Sequence, residues 1–416
     1  MQLRAVDGYA LSSPIDPPQD RRFATGTRRL LKRDCVLVIV ETAAGARGVA
    51  PAGASSSAMR EYFADASQHT FADVIDGPVA DALEGESVET VATIHERIRE
   101  AGLTSRLESE AIAALDIAWH DLRGKELGAP VYALLAEDYG TEPTTELPLY
   151  ASAGMYMEPE GYVSQASRLE ELGFFGYKYR PGIGPDADRR TVDRLLEATA
   201  DIAIMLDAHT WWKQTDLYTD AVVADLVDHA TEQGAFWIEE PVAPDDYDGY
   251  RDLATTGAPL AGGESEESAA GLLALAETGA VSFLQGDVRH HEGFTGCRDA
   301  IEYCRGRSIE FVPHNFGTWL GLMANAHLVA AAPDVRLLEY PVFEGDPTLG
   351  GEPDPGMYPY ELAFDIIEEE PAIENGRLTL ADEPGLGVTV DPDVIEDYPF
   401  IEGPWTEFRY DDSPAG

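Results

Sequence analysis

Cysteine is almost missing from this chain: Cys35, Cys297 and Cys304 are the only three in 416 residues. They are too few and too irregularly spaced for a disulfide framework or a tetrahedral zinc site, and they read as reduced thiols. Long apolar runs are missing as well, with none reaching the roughly 18 residues that a membrane-spanning helix needs. The opening residues Met1 to Asp7 lack the basic-then-apolar order of a secretory signal, so a cytoplasmic protein with no membrane partner is expected. Basic charge is scarce: 29 Lys and Arg stand against 76 Asp and Glu, a formal net charge of -47. Such a field repels nucleic acid and anionic lipid, which excludes a polyanion-binding role. Lysine is the scarcest cation, present only at positions 32, 125, 178 and 213.

What is present is the material of a folded enzyme. Hydrophobic residues make up 44% and charged residues 25% of the chain, enough for a sizeable core without the signature of disorder. The acids are set into ordinary helical texture, as in Val223 to Asp228, which describes a solvated acidic surface rather than a tail. That surface resembles those of proteins from salt-accumulating halophiles, and folding is expected to require molar salt to screen the self-repulsion.

Residues 1–140 read as an α+β unit, with a strand over Cys35 to Thr42 and a helix over Glu108 to Arg123, where Ile112, Leu115, Ile117, Trp119 and Leu122 recur at helical spacing. Residues 141–340 alternate short apolar runs with amphipathic stretches, the pattern of repeated βα units. The runs are 147–153, 176–180, 202–207, 236–240, 260–264, 283–287, 309–314 and 335–339, and eight of them make a barrel. Residues 341–416 are Pro- and Gly-rich and are expected to return to the first unit.

Each barrel run ends in a polar or charged residue. Lys178, Asp207, Glu239, Glu264, Asp287, His314 and Glu339 follow one another at intervals of 29, 32, 25, 23, 27 and 25 residues, close to one βα unit each time. They are expected to ring one mouth, because functional groups of such barrels sit at the carboxyl ends of several strands. Asp207, Glu239 and Glu264, on three neighbouring strands, offer three hard oxygen ligands. These suit Mg2+, with Mn2+ the alternative; Ca2+ wants more ligands, and zinc more often recruits His or Cys. Lys178 is one of four lysines and sits at a strand end, which gives it a chemical reason to be there. Arg180 projects to the same side two residues on. Asp287 and His314 make a carboxylate–imidazole pair, a poised base. In the loop His209 to Lys213, His209 and Trp212 are candidate substrate-binding groups, whereas Trp211 and Trp212 could equally pack under the cap.

Lys178-Tyr179-Arg180, Leu206-Asp207-Ala208, Trp237-Ile238-Glu239-Glu240-Pro241, Gly262-Gly263-Glu264, Asp287, Pro313-His314 and Leu338-Glu339 together resemble the enolase superfamily, in its mandelate racemase-like subgroup. The helix over Glu110 to Gly128 with Val131-Tyr132, and Pro384 to Gly387, extend the resemblance to nearly the whole chain. It implies an α/β fold: a modified (β/α)7β barrel under an α+β capping domain built from the N-terminal region and the C-terminal segment. It also implies Mg2+ on the three acids, and a small carboxylate substrate that loses its α-proton to give an enediolate stabilised by the ion, Lys178 and Glu339. The resemblance further implies that selectivity resides in capping-domain loops, here expected near residues 14–28 and 51–62, where Arg21, Arg22 and Arg28 are candidates for a distal carboxylate on the substrate. A homo-oligomer is expected. Where the subgroup commonly carries a second base, this chain has Arg180, whose guanidinium is never deprotonated in a protein. A racemase needs a base on each face of a planar intermediate, whereas elimination can use His314 alone. The expected reaction is therefore dehydration of a sugar acid to a 2-keto-3-deoxy acid. Epimerisation, racemisation or lactone cycloisomerisation is the alternative within the superfamily, and a metal-binding scaffold without turnover is the alternative outside catalysis.

Overall fold

The computed structural model describes residues 1–53, 56–351 and 356–411. Two long antiparallel strands, β1 (Leu3–Phe23) and β2 (Gly26–Thr42), open the cap, and β3 (Arg47–Ala52) and β14 (Thr406–Tyr410) pair with β2 on its two halves. Residues 14–28, expected as a loop, are instead the outer half of this hairpin. Phe23 stands opposite Gly26, which leaves only Ala24 and Thr25 to turn. The register shifts between Pro14 and Gln19, where Pro17 and Pro18 can donate no ladder hydrogen bond. Of the second expected loop, Ser56–Tyr62 is helical, and residues 54 and 55 lie outside the described residues. After short helical segments between Phe71 and Leu83, the cap continues with α1 (Val91–Glu100), α2 (Ser105–Leu127) and α3 (Val131–Tyr139). α2 carries Leu107, Ala111, Ile112, Leu115 and Leu122 into the core, each at most 1% exposed, and lies against β3.

The barrel strands are β4 (Glu146–Met155), β5 (Gly176–Arg180), β6 (Ala203–Asp207), β7 (Trp237–Glu239), β8 (Leu260–Gly262), β9 (Phe283–Leu284), β10 (Glu310–Phe311) and β11 (Leu338–Pro341). All eight apolar runs thus became strands, parallel to one another in the order β10-β9-β8-β7-β6-β5-β4-β11. Seven helices connect them: α4 (Pro159–Glu171), α5 (Pro185–Ala198), α6 (Asp220–Gln233), α7 (Tyr247–Ala254), α8 (Ala269–Glu277), α9 (Gly293–Cys304) and α10 (Trp319–Ala331). The α/β architecture is the expected one, a (β/α)7β barrel beneath a cap with an antiparallel sheet. Beyond β11 the chain first lines the barrel, where β13 (Arg377–Thr379) pairs antiparallel with β4 and β12 (Ile373–Glu374) antiparallel with β13, and then crosses to the cap as β14. No helix among the described residues is long and apolar enough to cross a membrane.

The barrel interior has an apolar floor made by Tyr150, Met205, Trp237, Ala261, Val312 and Leu337. Side chains on a strand alternate sides, so the next inward residue lies two positions on. From Met205, Trp237, Val312 and Leu337 that step leads to Asp207, Glu239, His314 and Glu339. A charged layer therefore sits directly on an apolar one, at the end of the barrel where the strands finish.

Candidate active site

Lys178 is 1% exposed and bridges two carboxylates, with Nζ 2.7 Å from Glu239 Oε1 and 2.8 Å from Glu339 Oε1. Burial works against its charge, but Glu239 and Glu339 more than offset it and hold the ammonium above its ordinary value. Glu239 also accepts from Gln285 Nε2 at 2.6 Å and Trp237 Nε1 at 3.1 Å. Glu339 accepts from Tyr150 Oη at 3.1 Å and the Asn315 amide at 2.9 Å. Arg180 places Nε 3.0 Å from Asp207 Oδ2 and its guanidinium 4.6 Å from the Phe316 ring, and the neighbouring carboxylates, Asp207 first, raise its pKa despite burial. It is a fixed cation.

His314 lies between two acids. Nδ1 is 2.9 Å from Asp287 Oδ2 and Nε2 is 3.0 Å from Glu264 Oε2. Burial disfavours the imidazolium, yet Glu264 and Asp287 push its pKa up to about 9. Asp287 is fully buried beneath the ring and held well below the usual carboxylate range, burial being outweighed by Arg289 and His314. Glu264 arrives by way of Gly263, whose φ of +127° favours glycine and where a Cβ would meet Leu272 at 2.7 Å. His209 donates from Nδ1 to Asp207 at 2.5 Å, while Trp212 faces Lys213, whose ammonium lies 4.6 Å from the indole. Trp211 turns away and donates to Asp188 at 2.9 Å in the barrel wall.

The seven residues that end the barrel runs thus meet in one network with Arg180 and His209, and Trp212 stands at its rim. Sequence reasoning missed four residues there. Arg289 grips Asp287 with Nε at 3.1 Å, and Asn325 donates to it at 3.2 Å from α10. Gln285 holds Glu239. Glu240, which alternation would turn outward, has a φ of +42° and is 1% exposed, with its carboxyl on Ser265. Burial and Glu264 raise its pKa well above the ordinary value. Only Arg289 left a signal, being two residues beyond Asp287.

Among the described residues no three acidic, histidine or cysteine side chains converge as they stand on a point that a metal could occupy. Asp207, Glu239 and Glu264 are each drawn to a different cation: Arg180, Lys178 and His314. The donor set nevertheless fits a hard divalent ion. Five carboxylates (Asp207, Glu239, Glu240, Glu264 and Glu339) crowd Lys178, Arg180 and His314, and they raise the pKa values of Glu239 and Glu240 in company with burial. Asp207 Oδ2 is buried and faces Arg180 without the alignment of a hydrogen bond.

Above this network hangs the hairpin tip. Ala24 N donates to Gly182 O at 2.9 Å beyond β5, and Thr25 N to Gln214 Oε1 at 3.1 Å beyond β6. Of the three arginines considered for a distal carboxylate, Arg22 pairs with Asp411 at the surface and Arg21 reaches Gln19 and Met357 O. Arg28 alone is at the mouth, 8% exposed, with no carboxylate partner among the described residues. Nε donates to Thr406 Oγ1 at 3.3 Å, and the guanidinium lies 4.8 Å from the Trp405 ring and 5.5 Å from that of Phe408. Stacking of this kind returns about 0.5–2 kcal/mol, whereas taking a charge out of water costs several. Burial accordingly lowers its pKa; Tyr156 and Tyr358 oppose that shift, and Arg33 and Arg180 add to it.

Comparison with known proteins agrees with this architecture. Residues 161–394 match the enolase C-terminal domain-like family, and residues 14–136 match the N-terminal domain of mandelate racemase / muconate lactonizing enzyme. The chain is 27% identical to D-galactarolactone cycloisomerase of Agrobacterium fabrum, over 96% of this chain and 99% of that one. It is 27% identical to D-xylonate dehydratase of Haloferax volcanii, over 74% of each. A mandelate racemase/muconate lactonizing enzyme from a marine actinobacterium, solved in complex with magnesium, superposes with a TM-score of 0.74 at 24% identity, covering 95% of this chain and 99% of that one. The chain belongs to the mandelate racemase/muconate lactonizing enzyme family of the enolase superfamily.

Proposed function

We propose that the protein is a Mg2+-dependent sugar-acid dehydratase in which His314 is the only base. The observation that carries this reading is the asymmetry of the mouth: His314, seated on Asp287, can exchange a proton, whereas Arg180 near Lys178, pinned to Asp207, cannot. Asp207, Glu239 and Glu264 would hold the ion, magnesium or else manganese, and such an ion supplies positive charge to a substrate carboxylate. The kinship with a dehydratase and a cycloisomerase supports an elimination.

The residues of the chain account for the remaining steps. His314 takes the C2 proton of a 2,3-dihydroxy acid, and the C–H electrons pass into a C1–C2 double bond, with negative charge on the carboxylate oxygens. Lys178 stabilises that charge by donation, and Glu339 keeps Lys178 in place. Protonated His314 then returns its proton to the departing C3 hydroxyl, the C3–O bond breaks, and water leaves. The enol gains a proton at C3, loses its C2 hydroxyl proton to solvent, and becomes a 2-keto-3-deoxy acid. Asp287 orients the ring throughout, and His209 and Trp212 contact the hydroxylated chain.

The test is to incubate the Mg2+-loaded protein, in high salt and D2O, with a panel of aldonates, aldarates and their lactones. Release of a 2-keto acid carrying one solvent deuterium at C3 is the expected result. Deuterium at C2 without loss of water would overturn the proposal in favour of an epimerase or racemase. Ring opening of a lactone without dehydration of the free acids would make it a cycloisomerase, and no reaction across the panel would leave a scaffold.

A further inference from the structure

We propose that the cap side of this site is built to receive a second anionic group, at the far end of the substrate, and that Arg28 is its principal anchor. The inference rests on the reading above only in taking the substrate's reacting carboxylate to lie at the strand-end network.

Arg28 enters from β2, and its Nη1 lies 3.7 Å from Met155 Sδ. Met155 is the residue that stands opposite Arg180 where β4 pairs with β5, so the guanidinium hangs over the ends of those two strands. A hydroxyl, a thioether and two aromatic rings surround it, with the Tyr156 and Tyr358 phenols nearby and no carboxylate among the described residues. Arg33 lies close by: its guanidinium is 4.7 Å from the Trp405 ring and 5.6 Å from Phe316, and its buried Nε has no hydrogen-bond partner among the described residues. Phe316 carries Arg180 on its ring. Three guanidinium groups therefore gather around two aromatic residues, and among the described residues only Arg180 has a carboxylate to answer it.

A neighbour on the same strand shows what a purely structural cation looks like here. Lys32, 3% exposed, stacks on Phe400 at 4.4 Å just as Arg28 stacks on Trp405, but it also holds Asp34 at 3.0 Å and Ile401 O. In a chain with 76 acidic residues, a partner for Arg28 would be easy to supply. The planar fork of a guanidinium suits a carboxylate or a phosphate and binds either in two-pronged fashion. An anion seated there would also relieve the repulsion between Arg28, Arg33 and Arg180.

The experiment is calorimetric titration of the Mg2+-loaded full chain with matched pairs of galacto, gluco and manno configuration, each an aldarate and the aldonate that differs from it only at C6. The 6-phosphorylated aldonate is the third arm. For the best-binding configuration the aldarate or the phosphorylated acid should bind about 10- to 100-fold more tightly than the plain aldonate, the size of a charge-assisted pair. Whichever of the two is preferred identifies the anion. Arg28→Met should bring the ratio close to one, and Arg28→Lys should keep part of it. Should Arg28→Met fail to fold, Arg28→Lys and Arg33→Met read the same ratio. A wild-type protein with no preference for the doubly anionic acids, a failure of every such acid to bind, or an Arg28→Met variant with the preference intact overturns the inference. Binding is read without turnover. A dicarboxylate preference in a protein that makes no 2-keto acid would therefore remove the dehydratase proposal and keep this one, and dehydration confined to aldonates would do the reverse.

Discussion

Two buried aspartates with histidine partners sit in different parts of the molecule, and they do different things. Asp287 in the barrel mouth and Asp116 on α2, at the seam between cap and barrel, are both 0% exposed. Asp116 is held by His95 Nε2 at 3.0 Å, His120 Nδ1 at 3.3 Å, Thr295 Oγ1 at 2.5 Å and the Phe294 amide at 2.8 Å. Gly293 lets α9 come this close, since a Cβ there would lie 2.4 Å from the Asp116 carboxylate. The seam cluster ties α1, α2 and α9 together. Around Asp287 the arrangement is open on one side: Arg289 and Asn325 fix the carboxylate, and the histidine it orients turns its second nitrogen toward Glu264 and the mouth. On the function proposed above, the same pair of residue types is scaffold where every partner is internal and chemistry where one nitrogen is turned toward the mouth.

Substitutions should separate the two. The largest effect is expected from His314→Asn, which keeps a polar side chain of similar reach but removes the base: α-proton exchange and dehydration should fall by at least ~10²- to 10⁴-fold. The denaturation midpoint should fall less than in Asp116→Ala, because Arg289 and Asn325 still hold Asp287. If exchange survives, the proton leaves toward Lys178 and the contrast drawn here collapses. Asp116→Ala should do the opposite. Removing one partner of a buried charged cluster costs about 3–5 kcal/mol of stability, read by chemical denaturation, with turnover per folded molecule nearly intact. A stable but inactive Asp116→Ala protein would assign the seam a part in catalysis.

A third buried histidine sharpens the comparison by its charge state. His327 on α10 accepts from the Tyr132 amide at Nδ1 (3.0 Å) and donates from Nε2 to Leu386 O (3.1 Å), so it joins cap and barrel as a neutral ring. Burial lowers its pKa to about 4. The unfolded chain therefore takes up the proton first as pH falls. The stability that depends on a neutral His327 is complete above its unfolded pKa of about 6.5 and is lost progressively down to about 4, a loss of about 3 kcal/mol at 1.36 kcal/mol for each unit. His327→Gln offers the same donor and acceptor without titrating, so its stability should fall less steeply between pH 6.5 and 4. An unchanged acid limb would show that His327 does not govern it.

Much of the site was legible because its logic is local. Alternation along β6, β7 and β11 turns Asp207, Glu239 and Glu339 inward two residues after Met205, Trp237 and Leu337, and the βα period spaces the strand ends by about one unit each. Glu240 was not legible, because a single positive φ reversed the side that alternation assigns to it. Asn325 was not legible either, because it reaches Asp287 from the middle of a helix whose periodicity says only that it is buried. The expectation of a loop over residues 14–28, drawn from the family resemblance, failed because β2 pairs with β1 on both sides of Pro17 and Pro18 and carries the strand past them.

The sequence alone therefore determined which residues stand at the carboxyl ends of the barrel strands, because side-chain direction and repeat length are properties of a few neighbouring residues. Only the tertiary structure decided which charges meet. Lys178 lies between Glu239 and Glu339, Arg180 is pinned by Asp207, and among the described residues Arg28 is buried without an acid while Lys32 on the same strand has one. Those outcomes depend on burial and on contacts between segments far apart in the chain, where the cost of desolvation sets the value of each charge, and no local pattern encodes it.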